Sequence, residues 1–289
     1  MGYAVGADAY RVAVQDLSAQ TLSEHYTDGQ RFLRGEFRDA LIARISAMSG
    51  WDLRDHAIFA AGSDVDLMTH VVDTIAAEHD VALYPGDWYG FVVGSRHPTR
   101  VRWGGRGALA CLCVPSVRNG HVTDDMVRFL GESEACLLNL NLYPTLRADE
   151  RRAIGRALEP LLPRSILSIS FSRGWGLTAS QLGIALVPRT HPIWRAHQTR
   201  WEWLSYFYNQ LAANAFLAFD HARASDVDAE RRAWVSDLLE QRDLPAVETG
   251  TYYVRSFQVE GELAPHLKPL VRQSAEGTLV RLCMKPPVQ

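Results

Sequence analysis

The sequence predicts an α/β protein, and three observations carry that prediction. The chain has 289 residues, 47% of them hydrophobic, enough to bury a substantial core in one large or two modest domains. A strand-like run at 57–61 meets a glycine turn and then an amphipathic helix expected at 65–77. Two β-rich runs, at about 165–171 and 182–187, flank a short polar loop with glycines, which indicates strand, loop, strand.

The remaining elements follow from the same patterns. Apolar spacing predicts a helix that begins near Phe37 and ends at Gly50, a glycine typical of a helix C-terminus. The stretch from Phe91 to Trp103 has room only for a hairpin-like connection. The other predicted strands lie at 81–84, 108–114, 135–140, 250–257 and 279–283, and the other helices at 124–130, 149–162, 192–222 (one long helix with an aromatic stripe) and 234–239.

Net charge, the N-terminal sequence and the cysteines bear on the binding partners and cellular location of the protein. A net charge of −3 gives no electrostatic case for binding nucleic acid or an anionic membrane. The N-terminus lacks a basic region followed by an apolar one, and no apolar run is long enough to span a bilayer, so we expect a cytoplasmic protein. The four cysteines lack Cys-x-x-Cys spacing, and Cys111 and Cys113 share one strand face, which predicts buried, reduced thiols.

The segment around the polar loop resembles a known family. Ser170-Phe171-Ser172-Arg173 is followed by Gly176-Leu177 and then by Leu182-Gly183. This order is similar to the lysine segment of class I/II aminotransferases, the fold-type I pyridoxal-phosphate (PLP) enzymes, with its Ser-Phe-Ser-Lys, Gly-Leu turn and Arg-x-Gly. In this alignment Arg173 stands at the Schiff-base lysine, and Gln181 stands at the arginine that binds the cofactor phosphate.

The resemblance extends to other cofactor contacts, most of them changed. The turn Gly62-Ser63 lies where the family's backbone N–H groups meet the phosphate at a helix N-terminus, and Trp88 lies where an aromatic residue stacks on the pyridine ring. Val117 replaces the asparagine that bonds the phenolic oxygen. The aspartate that pairs with the ring nitrogen becomes Leu140 if the register is counted strictly from Tyr143.

A slip of one residue would instead place Asn139 or Asn141 at the aspartate position, and no register supplies a carboxylate there. Near the C-terminus, Arg281 lies in a strand similar to the one whose arginine holds the substrate α-carboxylate. The alternative is a salt-bridged surface arginine.

The resemblance implies a fold-type I aminotransferase-like architecture: a mostly parallel central sheet flanked by helices, plus a smaller C-terminal α/β domain. The expected boundaries are an N-terminal segment at 1–45 that packs on the small domain, a large domain at 46–200, and a linking helix with the small domain at 201–289. The chain is shortened between Trp88 and the strand at 108–114, where the family has a further helix and strand.

The lysine content bears directly on the chemistry. A Schiff base needs a lysine amine that can lose its proton, and a guanidinium cannot substitute. The only lysines are Lys268 and Lys285, far from the loop in sequence. We therefore expect no covalently bound PLP, while non-covalent binding of PLP or another phosphate ligand stays open. No histidine spacing indicates a metal site.

Two functions fit these observations. The first is a PLP-independent enzyme, repurposed for an amino-acid-derived or carboxylate-bearing small molecule in biosynthesis or specialised metabolism. Its catalytic candidates are Arg173 as an electrostatic anchor and Tyr143 as a general acid. The second is a non-catalytic subunit or binding partner of an active enzyme. We expect a homodimer, or a heterodimer with an active aminotransferase. The ligand-binding candidates are Trp88, Arg281, Ser63, Gly62, Asn139, Asn141, Gln181, Ser170 and Ser172.

Overall fold

A computed structural model describes residues 2–16, 25–91, 95–177, 182–244, 250–259, 262, 265, 268, 271–274 and 277–283. Its main sheet has seven strands: β1 (His56–Ala61), β2 (Val81–Leu83), β3 (Val101–Trp103), β4 (Leu109–Cys113), β5 (Ala135–Asn139), β6 (Ser165–Ser170) and β7 (Gly183–Pro188). The strand order is β1-β7-β6-β5-β4-β2-β3. Strand β7 is antiparallel to both of its neighbours, and all other pairs are parallel. The predicted mostly parallel sheet is confirmed.

Helices flank this sheet. They are α1 (Gly2–Asp16), α2 (His25–Phe32), α3 (Arg38–Ser49), α4 (Asp64–Ala76), α5 (Asp124–Gly131), α6 (Ala148–Leu158), α7 (Pro192–Leu204), α8 (Gln210–Leu217) and α9 (His221–Gln241). The turn between α2 and α3, Leu33–Phe37, is π-helical. Helix α3 ends as predicted, because Gly50 adopts φ +85° and its N–H donates to the Ser46 carbonyl. No helix in the described ranges is long and apolar enough to cross a membrane.

The two faces of the sheet bury separate hydrophobic clusters. Every residue of β4, β5 and β6 is buried, which is typical of parallel strands covered on both faces. Alternation along β4 sends Cys111 and Cys113 to one cluster, while Ala110 and Leu112 face the other. The prediction that these two cysteines share a strand face is confirmed, and both are free thiols.

The hairpin expected at 91–103 is wrong. Strand β3 pairs parallel with β2, with Val81 opposite Val101, and forms an edge of the main sheet. Parallel neighbours are not joined by a hairpin turn, so the pairing of β2 with β3 excludes a hairpin between these two strands.

The single long helix expected at 192–222 is also wrong, because the chain divides there into α7, α8 and the start of α9. The Ser205 hydroxyl ends α7 by donating to the Trp201 carbonyl and accepting from the Ala60 N–H of β1. Asn209 then caps α8, and Asp220 caps α9. Short polar side chains compete with helical hydrogen bonds at each break.

A second, antiparallel sheet lies near the C-terminus. It contains β8 (Val254–Gln258), β9 (Val271–Ser274) and β10 (Gly277–Cys283) in the order β8-β10-β9. Helix α9 packs on this region through Val235 and Leu239, which share a cluster with Tyr252 and Tyr253. Helix α1 contacts α8 and α9. The domain boundaries at 45 and 200 stay a prediction.

Candidate functional site

A cavity of about 360 Å³ lies at the carboxyl ends of β4, β5 and β6. Strands β4 and β5 end in register, with Cys113 opposite Asn139, and Asn139 lies opposite Ser168, two residues before the end of β6. The carboxyl edge of an open α/β sheet is where such folds bind ligands. The cavity is lined by Ser63, Asp64, Val65, Trp88, Cys113, Pro115, Val117, Asn139, Asn141, Leu142, Ser170, Ser172, Arg173 and Leu182.

Most of the residues predicted from the sequence meet in this cavity. Those on its lining are Ser63, Trp88, Asn139, Asn141, Ser170, Ser172 and Arg173. Gly62 lies next to Ser63 without lining the cavity itself, and Gln181 lies outside the described residues.

The end of β5 shows which of the three candidate residues for the aspartate position line the cavity. Strand β5 ends at Asn139, and both Asn139 and Asn141 line the cavity. Leu140, expected there from strict counting, is 1% exposed and packs in the hydrophobic core. Leu140 therefore does not face the cavity, whereas both asparagines of the slipped registers do, and which of them stands at the family's aspartate position stays a prediction. Asn139 is held in place because its Oδ1 accepts from the Asn141 N–H at 3.0 Å.

The loop after β6 presents its polar groups to the cavity. The Ser170 and Ser172 hydroxyls are 3.0 Å apart and form a hydrogen bond. Arg173 follows with an exposed side chain, and in the described chain no carboxylate forms an ion pair with its guanidinium. The loop backbone is tied to the C-terminal region because the Tyr253 hydroxyl donates to the Arg173 carbonyl at 3.5 Å. Arg173 is thus a cation open to a ligand.

Asp64 is a site residue that the sequence analysis missed. The N-cap of α4 is Ser63, whose hydroxyl accepts from the Asp66 N–H. The Asp64 carboxylate instead points inward, where it accepts from the Ser168 hydroxyl at 2.6 Å and from the Asn139 amide at 2.9 Å. Burial raises its pKa, and these two hydrogen bonds oppose that rise.

A sequence signal for Asp64 did exist. It lies three, four and seven residues before Leu67, Met68 and Val71, the buried face of α4. Helical periodicity therefore places Asp64 on the inward face. The helix α4 thus supplies a carboxylate to the cavity lining, whereas β5 supplies none.

A second buried carboxylate, Asp87, holds one wall of the cavity. It accepts from the Cys113 N–H at 2.6 Å, the Ser116 hydroxyl at 2.8 Å and the Val117 N–H at 2.9 Å. Burial raises the pKa of Asp87 to about 6, against the opposing effect of these donors. Asp87 fixes the loop after β4, with Trp88 next to it on the cavity lining.

The structure moves Tyr143 out of the site, which corrects the general-acid assignment. Tyr143 is fully buried, and its ring stacks on Trp51 with centroids 5.8 Å apart. Its hydroxyl donates to the Arg151 carbonyl at 2.6 Å. Burial raises the pKa of this hydroxyl well above its usual value. Because the hydroxyl proton of Tyr143 is held in the core by the Arg151 carbonyl, it cannot be transferred to a ligand in the cavity. Tyr143 is therefore not a residue of the site.

Arg281 lies beside the cavity rather than on its lining. Its half-buried guanidinium donates to the Val117 carbonyl at 3.0 Å, and Val117 lines the cavity. The arginine therefore supports this wall, and its role as a carboxylate ligand stays a prediction.

The residues that the structure describes do not fit covalently bound PLP. Arg173 offers the aldehyde no amine, Lys268 is exposed, and Lys285 lies outside the described residues. At the phosphate position, the Gly62 N–H already donates to Asp66 Oδ2 at 3.2 Å. A phosphate there would displace this carboxylate and meet the two acids of the first turn of α4, Asp64 and Asp66. In the described ranges, no group of three or more acidic, histidine or cysteine side chains could hold a metal ion.

The fold has many solved relatives at low sequence identity. Substrate-bound BacF from Bacillus subtilis matches with a TM-score of 0.67 at 16% identity, over 96% of this chain and 82% of that one. Aspartate aminotransferase from Thermotoga maritima matches with a TM-score of 0.65 at 15% identity and the same coverages. The PLP-bound C-S lyase from Staphylococcus hominis matches with a TM-score of 0.65 at 11% identity, again over 96% and 82%.

No protein-family profile matches the sequence, and no curated protein matches it. The chain has the fold of the fold-type I PLP-dependent aminotransferases.

Proposed function

We propose that this chain is a PLP-independent enzyme that acts on an amino-acid-derived or carboxylate-bearing small molecule in the aminotransferase-like cleft. The observation that carries the proposal is Arg173, at the position expected for the Schiff-base lysine. Its guanidinium lies on the cavity lining and forms no ion pair with any described residue. A guanidinium binds carboxylates in a forked, two-bond geometry and cannot form an imine.

The rest of the lining suits a small organic ligand. Trp88 offers a flat apolar surface, and Leu142 and Leu182 add further apolar contacts. The Ser170 and Ser172 hydroxyls can donate to or accept from a polar substituent beside Arg173. Such a mixture of apolar walls and a few convergent polar groups is typical of small-molecule sites.

Acid–base chemistry in this cleft falls to Asp64. The other titratable groups on the described lining are Cys113 and Arg173. Burial raises the pKa of the Cys113 thiol well above its usual value, so this cysteine stays protonated and is a poor nucleophile. Asp64 has a raised pKa and two fixed hydrogen bonds, which suit a positioned general acid or base.

Two measurements test the proposal. An absorbance spectrum of the purified protein with added PLP should show no imine band, and Arg173→Gln should leave that spectrum unchanged. An imine band in the unaltered protein would overturn PLP independence. Calorimetric binding of simple aromatic carboxylates should be detectable and should weaken about tenfold in Arg173→Gln, the loss expected for one charge-assisted contact. Equal affinity in both proteins would overturn the role of Arg173.

A second candidate is a non-catalytic subunit that pairs with an active relative. The observation that favours it is a pair of exposed aromatic side chains at the end of α7: Trp203 in its last turn, 66% exposed, and Phe207 just after it, 62% exposed. Exposed aromatic residues are enriched at protein interfaces. Light scattering after size exclusion separates the two functions: a homodimer that binds carboxylates favours the enzyme, and a stable complex with a second protein favours the subunit.

A further inference from the structure

The cavity lining carries one charge of each sign. Asp64 is 9% exposed, whereas Arg173 is an exposed residue, so the carboxylate lies deep and the guanidinium lies towards solvent. The other described residues on the lining are neutral. A ligand that fills the cavity meets both charges.

The Asp64 carboxylate has unused acceptor capacity. Each of its oxygens accepts one hydrogen bond, Oδ1 from Ser168 and Oδ2 from Asn139, while a carboxylate oxygen offers two acceptor sites. Both donors are neutral, and no cation pairs with Asp64 in the part of the chain that the structure describes. Burying an ionised carboxylate without a cation costs several kcal/mol.

Neighbouring residues do not provide the missing positive charge. Asn139 and Ser168 come from adjacent strands and hold the carboxylate still, so its geometry is set before a ligand arrives. A positively charged N–H group is the partner that satisfies both the charge and the free acceptor sites.

We propose that Asp64 binds a cationic N–H group of the ligand, so that the cleft selects zwitterions whose carboxylate reaches Arg173. This inference rests on the proposed function, because it assumes that the ligand occupies the Arg173 cleft. The flat indole of Trp88 on the same lining favours a planar ring as the carrier of the cation.

The test compares two ligands of similar shape on the unaltered protein by calorimetry at pH 7. Imidazole-4-acetate carries a cationic ring N–H and a carboxylate, and phenylacetate carries only the carboxylate. We expect imidazole-4-acetate to bind at least about tenfold more tightly, as one charged hydrogen bond predicts. A third ligand, 4-aminobutyrate, distinguishes an ammonium from a ring cation. If it binds as tightly as imidazole-4-acetate, the subsite accepts an ammonium. If it binds more weakly than imidazole-4-acetate, the subsite requires the ring cation. Both results support the subsite.

Variants then assign the preference to Asp64. Asp64→Asn should abolish the roughly tenfold preference for imidazole-4-acetate over phenylacetate. Asp39→Asn, which removes an exposed carboxylate from α3, should keep that preference. A melting curve checks that Asp64→Asn folds, and the comparison of ligands on the unaltered protein does not depend on that variant. If imidazole-4-acetate and phenylacetate bind the unaltered protein equally, and both bind Arg173→Gln more weakly, the Asp64 subsite is overturned and the proposed function stands. If none of the three ligands binds, both the Asp64 subsite and the proposed function are overturned.

Discussion

The Asn139 side-chain amide donates a 2.9 Å hydrogen bond to the Asp64 carboxylate and so joins the end of β5 to the first residue of α4. The two residues are 75 positions apart in the chain. Ser168 at 2.6 Å completes the arrangement from β6. Three elements thus converge on one buried carboxylate, and the acidic group of the cleft belongs to the helix instead of the strand.

Changing Asn139 to aspartate tests this hydrogen bond. Asn139→Asp replaces the donor with a second carboxylate, and two like charges in contact cannot both stay ionised at low cost. We expect a loss of about 2–3 kcal/mol in the free energy of unfolding at pH 7, measured by urea titration. The deficit should shrink as the pH falls towards 5, because the shared proton then restores a donor between the two carboxyl groups.

The exchanged pair Asp64→Asn with Asn139→Asp is the matched control. It keeps one amide and one carboxylate and reverses the direction of the hydrogen bond, so most of the lost stability should return. If the exchanged protein is as unstable as Asn139→Asp alone, the contact between residues 64 and 139 does not carry the effect.

The sequence was sufficient to predict the elements whose signals are local. Strand β1, the glycine turn and α4 follow from an apolar run, a Gly-Ser pair and a 3.6-residue period, and Gly50 marks the end of α3. The cavity residues after β5 and β6 were also identified, because the carboxyl ends of adjacent parallel strands meet at one edge.

The errors lie where tertiary contacts decide the outcome. An aromatic stripe continues across Ser205, and the sequence around it does not show the contact of the Ser205 hydroxyl with Ala60 on β1 that helps to end the helix there. Tyr143 follows a site strand closely, yet its ring packs on Trp51, which is remote in sequence. Parallel pairing of β3 with β2 likewise depends on a crossover that no short pattern reports.

The Asp66 carboxylate should keep phosphate out of the α4 N-terminus. It accepts from the Gly62 N–H at 3.2 Å and places a negative charge where a phosphate would bind. In Asp66→Ala the freed N–H and the helix dipole should favour anions, which we expect to tighten the binding of inorganic phosphate about fivefold, or about 1 kcal/mol. Calorimetry with phosphate measures the difference.

Asp73→Ala is the control for this experiment. It removes another carboxylate from α4 about two turns away, where it accepts from the Arg96 N–H, and should leave phosphate binding unchanged. Phosphate binding that is as strong in the unaltered protein as in Asp66→Ala would contradict the blocking role.

Tyr143 should contribute to stability and not to the cleft. Tyr143→Phe keeps the ring on Trp51 and removes the hydroxyl that donates to the Arg151 carbonyl. We expect a loss of about 1 kcal/mol in urea unfolding, the usual worth of one hydrogen bond, with carboxylate binding unchanged. A variant of normal stability that binds carboxylates more weakly would return Tyr143 to the site.

His56 should make the protein lose stability in acid. Its side chain is buried, 5% of it exposed, and neither ring nitrogen has a hydrogen-bond partner among the described residues. Burial lowers its pKa from 6.5 to about 4, while the nearby Asp55 acts in the opposite direction. Between these values the unfolded chain binds a proton that the folded chain does not, so the free energy of unfolding falls as the pH falls. The contribution of His56 is present above pH 6.5 and is lost as the pH approaches 4.

Urea titrations of His56→Leu and the unaltered protein at pH 7 and pH 4.5 isolate this contribution from that of the other titrating groups. The unaltered protein should lose about 2–3 kcal/mol more than His56→Leu over this interval, since each unit of pKa shift corresponds to about 1.4 kcal/mol. His79→Leu, an exposed histidine after α4, should follow the unaltered protein. If His56→Leu and the unaltered protein lose the same free energy of unfolding between pH 7 and pH 4.5, the folded protein accommodates a charged His56. In that case the burial of His56 costs no more than the exposure of His79.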